Sequence, residues 1–246
     1  MKTIFLSILA LATMALSSCS KTKDPVEPGP TDPLRPGYVS GKVVDAHGNP
    51  IAKANIVANN TQFYNSNILG QTDANGNYQL QLSPGSWYVR GSVKVKYENQ
   101  NYVLDLFTED DGAFAGTEGA VKNLKLRISG ERTGNFGDDG FYGGQIEVFG
   151  YLNFFDTDNV ELTLEPVGPL VDSNTGQKLT RKVSGMYIED VPLGKYNVKA
   201  RYVPENKPLK VRVRNVGTFQ NTVTALFEPS YPGATGRYKL NIEVSE

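Results

Sequence analysis

The chain has 246 residues, with 25 Lys+Arg against 26 Asp+Glu and a net charge of -1. That balance leaves no basic excess for nucleic acid, and one His with one Cys excludes a disulfide framework and any zinc site built from several Cys and His. Glycine (25) and proline (14) make up about one residue in six, and Tyr (13) and Phe (11) outnumber Met (3) and Trp (1), a composition suited to loop-rich β-structure.

The chain opens on Lys2 and an apolar run from Ile4 to Leu16, too short to span a bilayer and shaped like a secretory signal. It continues Leu16-Ser17-Ser18-Cys19, which resembles the bacterial lipoprotein signal. That resemblance implies cleavage after residue 18 and diacylation (palmitate or a similar chain) of Cys19, so that the mature protein meets the membrane through lipid. Ser20, rather than Asp, follows the cysteine, which resembles sorting to the outer membrane. Residues 19–37 then form a lipidated tether. Pro25, Pro28, Pro30, Pro33 and Pro36 favour polyproline II over residues 20–37, at about 3.1 Å per residue or roughly 55 Å in all.

From Tyr38 onward the period is two. Val39, Gly41 and Val43 alternate with polar residues, and Asp45–Pro50 reads as a turn. Strands follow over 54–58, 77–82, 86–95, 102–107 and 124–128. A glycine-rich junction occupies 130–142, where the glycines favour freedom and the rings of Phe136, Phe141 and Tyr142 favour docking. Strands resume over 146–154, 160–164, 209–213 and 238–244. The two halves align at an offset of 109: Val39-Ser40-Gly41 with Val148-Phe149-Gly150, Gly76-Asn77-Tyr78 with Gly185-Met186-Tyr187, and Gly85-Ser86-Trp87 with Gly194-Lys195-Tyr196. The expectation is an all-β protein of two tandem sandwiches, 38–129 and 143–246, the second a divergent repeat of the first.

The segment from Gly41 to Val89 carries Gly41-x-Val43-x-Asp45, Gly48-x-Pro50-Ile51, Ala54-x-Ile56, Thr72-Asp73-x-x-Gly76-x-Tyr78 and Leu82-x-Pro84-Gly85-x-Trp87-x-Val89. It resembles the carboxypeptidase regulatory-like domain, which implies a transthyretin-like β-sandwich and says little about function. The second half keeps only the Gly-x-Tyr and Pro-x-Gly elements.

Candidate chemistry is sparse. His47 lies in a turn without a nucleophile partner, so no Ser-His-Asp or Cys-His catalysis is expected. Glycoside hydrolysis needs only two carboxylates, but nothing in the sequence places two across a cleft. Asp73–Asn77 begins like a calcium loop, yet its twelfth position is Pro84, so it reads as a hairpin turn. Asp110-Asp111 and Asp138-Asp139 are the oxygen-rich loops that would hold calcium if any does; no other cofactor is implied. Aromatic residues gather in loop segments: Phe63 and Tyr64, Tyr97 and Tyr102, Phe107 and Phe114, Phe136, and Phe141 and Tyr142. Flat rings next to side-chain amides suit sugars. Phe63, Tyr64, Asn65 and Asn67, with Phe141 and Tyr142, are therefore the candidate ligand residues. The function expected is a non-enzymatic cell-envelope binding or accessory lipoprotein with a glycan ligand, the alternative being a spacer or assembly module that binds an envelope protein.

Overall fold

A computed structural model describes residues 34–246. The signal-like segment, Cys19 and the tether up to Pro33 lie outside the described residues.

The first half contains β1 (Tyr38–Val44), β2 (Asn55–Asn60), β3 (Asn67–Gln71), β4 (Asn77–Gln81), β5 (Ser86–Tyr97), β6 (Gln100–Phe107), β7 (Phe114–Ala115), β8 (Ala120–Val121) and β9 (Leu124–Leu126). The second contains β10 (Gly144–Gly150), β11 (Val160–Pro166), β12 (Leu179–Lys182), β13 (Tyr187–Val191), β14 (Lys195–Tyr202), β15 (Lys207–Val213), β16 (Val223–Leu226), β17 (Glu228–Pro229) and β18 (Tyr238–Ser245). The strand orders are β3-β2-β5-β6-β9-β1-β4 and β12-β11-β14-β15-β18-β10-β13. These are one topology written twice, so the repeat is structural as well as textual. In each half the last strand runs parallel to the first, with Val43 opposite Leu124 and Val148 opposite Ile242.

Alternation explains the cores. Val39 and Val43 on β1, Ile56 and Ala58 on β2, and Trp87 and Val89 on β5 face inward and are buried, while the residues between them face out. Each apolar side chain so buried is worth about 1.5–3 kcal/mol. The buried apolar residues of both halves form one connected cluster.

The offset of 109 holds at β5 and β14 but not along the whole chain. Gly41 sits mid-strand opposite Tyr78, whereas Gly150 ends its strand opposite Val244. Tyr78 is buried with its hydroxyl donated to the Lys122 carbonyl at 2.6 Å, whereas Tyr187 is 38% exposed and Ile188 faces inward instead. A register shift between Gly144 and Ile146 accounts for part of the difference. The strand expected over 146–154 also stops at Gly150, because Leu152 adopts a left-handed φ of 53° and turns the chain.

The two halves are docked. Tyr102 donates its hydroxyl to the Phe227 carbonyl at 2.7 Å, and Tyr97 donates to Pro169 at 2.8 Å. Tyr238 donates to the Val103 carbonyl at 3.1 Å and accepts from the Val103 amide at 2.6 Å. Its ring lies 4.7 Å from that of Tyr102. At the junction the Arg132 guanidinium reaches Asp105 (2.9 Å), Asp138 (2.7 Å) and the carbonyls of Phe141 and Gly236 (3.0 and 2.9 Å). Asp190 of β13 accepts from the amides of Gly130 and Gly143, tying both ends of the junction to the second sheet. The glycines serve tight turns; the polar side chains fix the loop.

Candidate functional site

The β2–β3 hairpin is shaped by its amides. The Asn60 side chain accepts from the backbone amides of Gln62 and Phe63 at 2.8 and 3.0 Å. Asn65 takes a left-handed φ of 60°, which Asn tolerates better than most residues. The chain therefore closes with Phe63 and Tyr64 pointing outward, 65% and 100% exposed. Asn65 shapes the turn, and Asn67 opens β3 opposite Asn59.

Pairing continues that surface across three strands. On the outward face Asn67 stands opposite Asn59, which stands opposite Tyr88; the next row is Leu69, Val57 and Arg90; the next is Gln71, Asn55 and Ser92. Gln71 donates to the Asn55 side chain at 2.9 Å. The junction loop then reaches back over this face. Phe136 lies flat on Tyr88, with centroids 4.1 Å apart and planes 5° from parallel. Arg90 donates to the Asn135 carbonyl at 2.8 Å, and Asn135 donates to Asp111 at 2.9 Å. Phe136 holds a φ of 50° between Gly134 (77°) and Gly137 (76°), a backbone that costs energy for a bulky residue and is kept by these contacts.

The other candidates go elsewhere. Tyr142 is buried at the joint, edge-on to Phe107 and 4.5 Å beneath the Arg132 guanidinium, and burial pushes its hydroxyl up to about 12. It is a packing residue and not part of an exposed ligand surface. Phe141 is half-buried and lines a different cavity, of about 310 Å³, with Gln145, Glu189, Arg237 and Tyr238. The structure does not join this pair to Phe63 and Tyr64 in one patch.

The acidic loops are answered by cations of the chain. Asp110 pairs with the buried Lys122 at 2.7 Å, and Asp138 pairs with Arg132. Asp111 is buried, with Arg90 4.0 Å away. Burial raises its carboxyl, but hydrogen bonds from Thr133 and Asn135 and the charge of Arg90 outweigh that and hold it below the usual range. The backbone carbonyl of Asp139 accepts from Arg237. Among the described residues no group of three or more Asp, Glu, His or Cys converges as a metal would require. Asp110, Asp111 and Asp138 therefore face cations of the chain itself, while Asp139 is contacted through its backbone carbonyl. Asp73 accepts from the amides of Asn75 and Asn77, both at 2.8 Å, as a hairpin turn does.

Sequence reasoning singled out the Phe63–Asn67 loop but missed β3 and the sheet face behind it. Tyr88, Asn59 and Asn55 alternate with core residues, so period two marked them only as outward-facing. Phe136 reaches Tyr88 through a long-range return of the loop that no local pattern encodes.

The model of the carboxypeptidase regulatory-like domain family matches residues 38–102. No curated protein matches the chain. Among solved structures it is similar to the Bacillus anthracis TIE protein (16% identity, TM-score 0.30), covering 85% of this chain and 34% of that one. The chain thus spans about a third of that protein. It is also similar to BcpA, the major pilin subunit of Bacillus cereus (10% identity, TM-score 0.26, 86% and 99% covered). A DUF3823 family protein from Bacteroides ovatus is similar as well (10% identity, TM-score 0.25, 77% and 98% covered). These are likenesses of β-rich chains and carry nothing about activity. The family match, over residues 38–102, falls on strands of the sheet that bears the outward face described above, and that part of the chain is similar to the carboxypeptidase regulatory-like domain.

Proposed function

We propose that the protein is a non-enzymatic module of the cell envelope that binds a glycan on the outer side of its first sandwich. The observation that supports this most is the exposed hairpin of Phe63 and Tyr64, continuous through Asn67 with a sheet face of side-chain amides. Amides donate and accept together, as sugar hydroxyls do, and exposed rings offer an apolar face without rearrangement. Acylation at Cys19 would hold this surface at a membrane, the outer membrane by the reading of Ser20, with the proline tether as spacer. The full chain tested against a polysaccharide panel, with and without calcium, should bind one glycan class in both conditions. A Phe63→Ala/Tyr64→Ala variant should bind more weakly. Cys19→Ser should release the protein from membranes; retention on membranes would remove the lipid anchor from the reading.

A second reading has one observation behind it. β3 ends its sheet with an exposed Leu69 and no charge, whereas its counterpart β12 carries Arg181 and Lys182. An uncharged edge can accept a strand from another protein. Envelope cross-linking to one fixed protein, with no glycan bound, would select that role.

A further inference from the structure

Accepting the glycan-binding reading, we infer that the ligand is a neutral, extended polysaccharide laid across β3, β2 and β5, with one sugar ring stacked on Phe136. The junction loop therefore supplies the specificity residue of a site otherwise built by the first sandwich.

The charges decide the ligand class. Eight of the nine residues in the three rows are uncharged (Asn67, Asn59, Tyr88, Leu69, Val57, Gln71, Asn55, Ser92). The ninth, Arg90, is committed to the Asn135 carbonyl, to the neighbourhood of Asp111 and to the Tyr88 ring, 5.3 Å from its guanidinium carbon. A uronate or sulfate would find no free cation in these rows, and an amino sugar no free carboxylate. Burying either charge unpaired is costly.

Phe136 has the properties of a stacking platform. It is 46% exposed, so one face is open while Tyr88 backs the other. Its backbone is pinned on both sides, because Asn135 is held by Arg90 and Asp111 and the loop ends are held by Asp190. A ring already fixed loses little freedom when a ligand arrives. The rows are open on β3 and run through β2 to the loop that covers Tyr88 and Arg90 on β5, so that Phe136 stands at the end of an exposed strip, which suits an extended chain better than a coiled one.

Affinity electrophoresis of the full chain would use hydroxyethyl cellulose, galactomannan, polygalacturonate and glycogen as probes. Retardation by a neutral extended polymer is expected. Phe136→Ala should weaken it about tenfold, the scale of one lost aromatic stack, and Phe136→Trp should retain it. Near-ultraviolet circular dichroism would show that the exposed substitution leaves the fold intact. Undiminished retardation of Phe136→Ala, or retardation by polygalacturonate or glycogen alone, would overturn this inference and leave the binding module standing. No retardation of the parent chain by any of the four would overturn both.

Discussion

Trp87 and Tyr196 occupy one position in the two sandwiches, and each donates to the carbonyl four residues before it: Trp87 to Ser83 at 3.0 Å, Tyr196 to Pro192 at 2.7 Å. Both rings are buried, at 2% and 1% exposure. The repeat thus conserves a ring that packs the core and a polar atom that closes the preceding turn, while the chemical identity of the ring is free to change. Tyr196→Phe keeps the ring and orphans the Pro192 carbonyl, at a cost of about 1–3 kcal/mol. Trp87→Ala removes the ring and should cost about 3–5 kcal/mol. Trp87 is the sole tryptophan, so its fluorescence reports the first sandwich. With the halves docked, Tyr196→Phe in the second sandwich should lower the urea midpoint read at Trp87. An unchanged midpoint would show that the sandwiches unfold separately.

Arg132 is the tie of the junction. Its side chain is 2% exposed and serves Asp105, Asp138 and two carbonyls together. Arg132→Met keeps much of the volume and leaves the carboxylates unanswered, and breaking a buried pair in this way costs about 3–5 kcal/mol. Limited proteolysis should then cut within 130–142 at protease levels that spare the parent chain. Equal resistance would mean that the loop is held without this residue.

Burial pushes the hydroxyls of Tyr78, Tyr102 and Tyr196 well above the ordinary tyrosine range and that of Tyr142 up to about 12. A folded-state value above the unfolded one gives stability that is complete below about pH 10 and is lost as pH rises beyond it. Absorbance titration at about pH 11 should find these four still protonated. Ionisation of all thirteen in one step, with native circular dichroism retained, would contradict their burial.

Gly41 illustrates a sequence feature whose reason is three-dimensional. A Cβ there would collide with the Lys122 carbonyl oxygen and press on the Tyr78 ring. Gly41→Ala should lose about 1–3 kcal/mol as an overpacked site. A thermal midpoint equal to that of the parent chain would show that β1 can move away.

Much of the fold was legible because β-sandwiches advertise themselves by alternation. Val39 and Val43 read as the apolar side of an alternating strand, and both are buried. The turns at Asp45 and Asp73 read correctly because a short carboxylate capping its own backbone is a local event. What failed was non-local. β3 was invisible, because its Ile68 and Leu69 are adjacent among Asn, Gly and Gln, so its apolar residues do not alternate although its half-buried and exposed positions do. Tyr142 looked like a loop aromatic, but the chain folds its loop against Phe107. The acidic pairs looked like cation ligands because Lys122, Arg90 and Arg132 lie far from them in sequence or face them only after folding.

The parallel pairing of first and last strands has a mechanical consequence. In the second sandwich six residue pairs, from Gln145 with Lys239 to Gly150 with Val244, join strands that run the same way. The chain enters at one pole of the sheet and leaves from the other. A pull between an anchored N-terminus and a load at the C-terminus would strain these six pairs together, in shear, instead of peeling them apart singly. The body would stretch little before it yielded, and would yield all at once.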